Sequence, residues 1–113
     1  MSRDDLSKNL VISFFPDLEH KMGKIFKSVK RIAGSFERGN VRYQVAPKGE
    51  TTPSANSVYE ELIELYLPYC EVDADKSEGI IDGLYVTCEE GNKVFIMIDL
   101  SNDRLSVSAW VRG

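Results

Sequence analysis

The stretch LYVTCEEGNKVFIMIDLSNDRLSVSAWV, residues 84–111, decides the fold. Leu84, Val86 and Cys88 occupy alternate positions, then Val94, Ile96, Ile98 and Leu100, then Leu105, Val107, Ala109 and Val111. Successive side chains of a strand point to opposite faces, so a period of two marks a half-buried strand. Glu89-Glu90-Gly91-Asn92 and Ser101-Asn102-Asp103 separate the runs as turns. The pattern predicts a three-stranded antiparallel meander with one consistently apolar face, on which helices would pack. The other face would carry Tyr85, Thr87, Phe95, Met97, Asp99, Ser106, Ser108 and Trp110. The first helix either covers that face or leaves it open.

Upstream of the meander, Pro53 and Ser54 open a helix at roughly 55–67, with Val58, Leu62, Leu65 and Tyr66 on its inner side. Glu60, Glu61 and Glu64 form its outer side, and Pro68 ends it. Residues 71–78 then read as an acidic loop. Val41, Tyr43 and Val45 alternate as a short strand, followed by a Pro-, Gly-, Ser- and Thr-rich loop over 47–56. Leu18, Met22, Ile25, Phe26, Val29, Ile32 and Phe36 recur at helical spacing and predict a helix over 17–36. Its opposite face holds His20, Lys24, Lys27 and Arg31. Pro16 separates it from an N-terminal helix capped by Ser2, with Asp4 and Asp5 in the first turn and Leu6, Leu10 and Phe14 at four-residue spacing. Leu10–Phe15 is rich in β-branched and aromatic residues and also suits a strand; helix is the reading preferred. The expectation is a single α+β domain over 1–113, in the order α-α-β-α-β-β-β.

The 113 residues suffice for one domain, and an apolar content of 42% suffices for its core. No apolar run approaches the roughly 20 residues needed to span a bilayer. No secretory leader pattern opens the sequence, so cytoplasmic residence is expected. Cys70 and Cys88 can pair, but two cysteines in such a chain are expected as free thiols, with Cys88 a small core residue.

Charge is unevenly distributed. Residues 1–50 hold ten Lys/Arg and six Asp/Glu, a net of +4, whereas residues 51–113 hold four and twelve, a net of −8. The basic stripe Lys24, Lys27 and Arg31 would accept a phosphate backbone, but the acidic total and the lack of a nucleic-acid-binding pattern argue against that partner. The acids Glu60, Glu61 and Glu64 have no lysine near them in the helix, and Asp73 and Asp75 follow in the loop. Either the lysine face of the second helix pairs with them across the fold, or they are free for a basic protein partner.

Signs of chemistry are sparse. The one histidine, His20, sits among lysines; the two cysteines offer no metal-ligand spacing; Gly23 and Gly34 are isolated. No enzyme, cofactor or metal site is expected. Trp110, with Tyr85, Phe95 and Met97, would form a binding patch if exposed, since Trp and Tyr dominate interface hot spots.

The run Tyr59-Glu60-Glu61-Leu62-Ile63-Glu64-Leu65-Tyr66 resembles the acid-and-tyrosine surface of bacterial toxin-system immunity proteins, including those of contact-dependent inhibition. The resemblance covers about a tenth of the chain and is one of general character. It implies a non-enzymatic protein that neutralises a basic toxin domain, such as a nuclease, by direct binding. Glu60, Glu61, Glu64, Asp73 and Asp75 would attract the partner, with Tyr66, Tyr69 or Trp110 as anchors. A secretion chaperone or regulatory adaptor, binding through the outer sheet face, is the alternative expectation.

Overall fold

The computed structural model describes residues 3–88, 93–101 and 104–112, with side chains in the first helix described from Phe14 onward. The cap at Ser2, the side chains of Asp4, Asp5, Leu6 and Leu10, and the turn residues Glu89–Asn92, Asn102 and Asp103 lie outside the described residues. Among the described residues, two helices and six strands run in the order α1 (Arg3–Ile25), β1 (Phe26–Ser35), β2 (Asn40–Pro47), α2 (Ala55–Tyr66), β3 (Glu71–Ser77), β4 (Ile80–Thr87), β5 (Lys93–Ser101), β6 (Arg104–Val111). The strands form one antiparallel sheet in the order β1-β2-β6-β5-β4-β3.

The fold is α+β, but the expected order α-α-β-α-β-β-β and its three helices are corrected to α-β-β-α-β-β-β-β with two. Three local readings account for the difference. First, Pro16 does not divide two helices. Helix α1 runs through it, with Leu10–Phe15 helical. An interior proline costs about 3 kcal/mol, yet Phe15 before it and Leu18 and Met22 after it are all fully buried. Keeping one helix buries all three on one stripe, and the Pro16 ring is exposed.

Second, residues 26–35 are strand rather than helix. The register of β1 on β2 slips between Phe26 and Ser28 and again between Arg31 and Ala33. Each bulge inserts one residue and moves the next inward position from i+2 to i+3. Phe26 and Val29 therefore stand three apart, as on a helix, while Ile32 lies at the second bulge and is exposed. The close approach of β1 to β2 requires glycine at position 34: its φ is +81°, and a Cβ there would lie 2.2 Å from the Asn40 carbonyl oxygen. Helix α1 passes into β1 without a loop, and Lys48 Nζ donates to the Lys24 carbonyl at 2.7 Å, satisfying one of the last turn's free acceptors.

Third, the expected acidic loop at 71–78 contains strand β3. Val72 and Ala74 face the core side, while Glu71, Asp73 and Asp75 face away. Cys70 and Cys88 are joined by a disulfide with Cα atoms 4.4 Å apart, in place of the free thiols expected. Glu71 pairs with Thr87, so the two cysteines continue the β3–β4 register by one step.

Both helices pack on one face of the sheet. The core joins Phe15, Leu18 and Met22 of α1 and Val58, Leu62 and Tyr66 of α2 to the inward residues of the central strands. Ser54 caps α2, its Oγ accepting from the Ser57 amide at 3.1 Å. Phe14 stacks on Tyr66 across the helix pair at 5.7 Å. Tyr59 fastens α2 to the sheet: its hydroxyl accepts from the Ile98 amide at 2.6 Å and lies 3.1 Å from the Asp82 carbonyl, to which it donates. Burial holds the phenols of Tyr43, Tyr59 and Tyr66 above their ordinary pKa.

Candidate interaction surface

With both helices on one side, the opposite face of the sheet has no covering element among the described residues. The register sets its side chains in rows. Asp73 pairs with Tyr85, Tyr85 with Phe95, Phe95 with Trp110, and Trp110 with Asn40. One row thus crosses β3, β4, β5, β6 and β2. Its three aromatic rings form a continuous ladder, with centroids 4.7 Å apart for Tyr85–Phe95 and 4.8 Å apart for Phe95–Trp110. Their tilts of 54° and 55° are intermediate between stacked and edge-on. All three rings are half-buried.

Gly83 makes the ladder possible. A Cβ at this position would lie 2.2 Å from the tip of the Phe95 ring, so the ring rests on bare backbone. Met97, 39% exposed, continues the apolar strip along β5. Lys93 places its Nζ 5.7 Å from the Tyr85 ring centroid and supplies a cation at one end.

The flanks of the face carry opposite charge. Glu71, Asp73 and Asp75 stand exposed on the β3 edge, while Arg42 of β2 and Lys30 of β1 lie towards the other edge. The only ion pair among the described residues is Lys21–Asp17, local to α1. The acids of β3 therefore have no basic side chain within ion-pair distance among those residues.

The structure brings together only some of the residues singled out from sequence. Asp73, Asp75 and Trp110 share the open face. Glu60, Glu61 and Glu64 are exposed on α2, in the layer on the other side of the sheet. Tyr66 is 1% exposed and belongs to the core. Tyr69 is 77% exposed in the turn after α2. Gly83 escaped sequence reasoning, and Arg42 figures there only as an extension of the Lys24, Lys27 and Arg31 stripe. A glycine between Asp82 and Leu84 within an alternating run was the available signal for a close approach; Arg42 could be placed only once β2 was known to pair with β6.

The surface offers apolar contact and fixed charge rather than reactive groups. His20 is exposed, both cysteines are bonded, and no group of three or more His, Cys, Asp or Glu gathers among the described residues. Among the described residues, no helix is long and apolar enough to cross a membrane. Comparison with known proteins gives no match to a family model, to a curated protein or to a solved structure.

Proposed function

We propose that this domain is a binding protein, not a catalyst, and that it receives a basic protein partner on the open face of its sheet. The observation that carries this reading is the uncovered Tyr85–Phe95–Trp110 ladder ending at Asp73 on an acidic edge strand. Large aromatics supply contact area at low entropic cost, and unpaired carboxylates beside them steer a basic surface into register. Neutralisation of a basic toxin domain, the action implied by the immunity-protein resemblance, is one form of this function. Asp73 and Asp75 would then attract the toxin and Trp110 anchor it, with Glu60, Glu61 and Glu64 outside the contact. A secretion chaperone or regulatory adaptor would use the same face, and exposed Met97 favours it by offering a surface that re-packs for different partners. In the cytoplasm, Cys70 and Cys88 would be held reduced; the bridged form belongs to an oxidising compartment.

The test uses the protein domain encoded beside this chain's gene, with binding followed by surface plasmon resonance. Trp110→Ala is expected to weaken binding at least tenfold. The pair Asp73→Lys and Asp75→Lys slows association, as does added salt, while reversal of Glu60, Glu61 and Glu64 changes little. The reverse pattern, with the helix acids essential and the sheet variants silent, refutes the site. A toxic neighbour whose activity the chain suppresses identifies an immunity protein; a secreted or regulatory one identifies an adaptor.

A further inference from the structure

On the helix side of the sheet, α1 crosses β1 and leaves an open cleft of about 430 Å³. This lies in the range of ligand pockets, roughly 300–1,000 Å³. Glu19 and Gly23 of α1, Lys27 and Arg31 of β1 and Tyr43 of β2 line it. The Tyr43 hydroxyl donates to Glu19 Oε1 at 2.8 Å, which fixes the carboxylate and leaves its other oxygen available. Arg31 pairs in register with Tyr43 and so shares its face, and its guanidinium is held 4.5 Å from the Phe36 ring centroid. Arg31 is close enough to pull the Tyr43 phenol down, against burial and Glu19, which push it up.

Glu19, Arg31 and Lys27 line one cleft without forming an ion pair, since Lys21–Asp17 is the only pair within 4.0 Å among the described residues. A plain anion there would face the Glu19 carboxylate, and a plain cation would face Lys27 and Arg31. A molecule carrying both an ammonium and a carboxylate satisfies the two walls together. Gly23 opens the remaining wall, because a Cβ there would meet nothing within 4 Å.

The geometry points to a binding site for a free α-amino acid, with its ammonium on Glu19 and its carboxylate on Arg31 and Lys27. The site lies in the helix layer, away from the open sheet face, and stands or falls independently of the partner reading.

The test is a panel of free amino acids at 10 mM against the full chain, read by thermal shift and by amide chemical shifts. At least one is expected to raise Tm and to move the amides of Gly23, Lys27 and Arg31. Its N-acetyl derivative and its decarboxylated amine bind at least tenfold more weakly. Gly23→Leu fills the cleft and improves helix propensity, so it abolishes binding while the chain stays folded; Arg31→Gln weakens binding at least tenfold. The proposal is overturned if no amino acid moves Tm or the amides, if the N-acetyl derivative binds as well as the parent, or if folded Gly23→Leu binds like the wild type.

Discussion

Opening the Cys70–Cys88 bridge is expected to remove about 3 kcal/mol of stability. The bridge closes a loop of sequence separation 18. In the chain-entropy account, a 15-residue loop stabilises by about 3 kcal/mol through the unfolded state, and the logarithmic dependence adds little more for this one. The Cα separation of 4.4 Å is within the range disulfides occupy and close to the roughly 4.5 Å of a non-hydrogen-bonded antiparallel pair. The β3–β4 ladder therefore presents the two cysteines without rearrangement. The assay is urea unfolding of oxidised and reduced wild-type protein, followed by circular dichroism. This comparison keeps both side chains and changes only the covalent link. With an m-value of roughly 1–1.5 kcal/mol per M for a domain of this size, the midpoint should fall by about 2–3 M. Cys70→Ser with Cys88→Ser should match the reduced protein within about 1 kcal/mol. Intact mass without reductant should be 2 Da lower than with it, as one bridge requires. A protein shown to be bridged but losing less than about 0.5 kcal/mol on reduction refutes the reasoning: the hairpin would then already restrict the unfolded chain as much as the bridge does.

Three further outcomes follow from named contacts. Gly83→Val drives a Cβ into the Phe95 ring and is expected to cost about 1–3 kcal/mol; adding Phe95→Ala should recover part of the loss, and additive effects in the double-mutant cycle would rule out the contact. Tyr59→Phe leaves the buried Ile98 amide without its acceptor and is expected to cost about 1–3 kcal/mol in urea unfolding, with the fold retained by circular dichroism. The phenols of Tyr43, Tyr59 and Tyr66 are all raised above 10.0, so the folded chain keeps protons that the unfolded chain releases. Their contribution is complete below pH 10 and declines above it, and tyrosinate absorbance from these three should appear together with alkaline unfolding rather than before it.

The parts of the fold legible in the sequence are those where one structural rule acts alone. Strands β4, β5 and β6 pack one face on the core and show the other to solvent, so Leu84, Val86, Val94, Ile96, Ile98, Leu105, Val107 and Ala109 alternate and are all buried. Helix α2 combines a serine cap with Val58, Leu62 and Tyr66 on one stripe. Strand β1 was illegible because its first bulge sets the inward apolar residues Phe26 and Val29 three apart, as on a helix, and the rest of its inward side is Arg31 and Gly34. Strand β3 was illegible because its core side holds only Val72 and Ala74, while its outer side carries the charges that protect a sheet edge from pairing. The disulfide had no sequence signal of its own, because only the β3–β4 register places Cys70 beside Cys88. For the candidate surface, alternation placed Tyr85, Phe95 and Trp110 together on the face opposite the apolar one, but whether a helix covered that face became clear only with both helices placed on the other side. Glu60, Glu61 and Glu64 lie in the helix layer while Asp73 and Asp75 lie on the far face of the sheet, a separation that their proximity in sequence hides.

The sheet order also answers how the two oppositely charged halves of the chain are arranged. Strand β1, with Lys27, Lys30 and Arg31, and strand β3, with Glu71, Asp73 and Asp75, are the two edges of the sheet. Five strand spacings of about 4.8 Å put these edges roughly 24 Å apart, more than two Debye lengths at physiological ionic strength. At that distance the basic edge does little to neutralise the acidic one. The sequence asymmetry becomes a charge gradient across the sheet, perpendicular to the strands and along the direction of the aromatic row. Such a gradient orients an approaching partner before contact and fixes which of its ends meets β3. Moving the acids from β3 to the β1 edge would preserve the net charge of −4 and abolish the gradient. Association rate would then respond to where the charge lies rather than to how much there is.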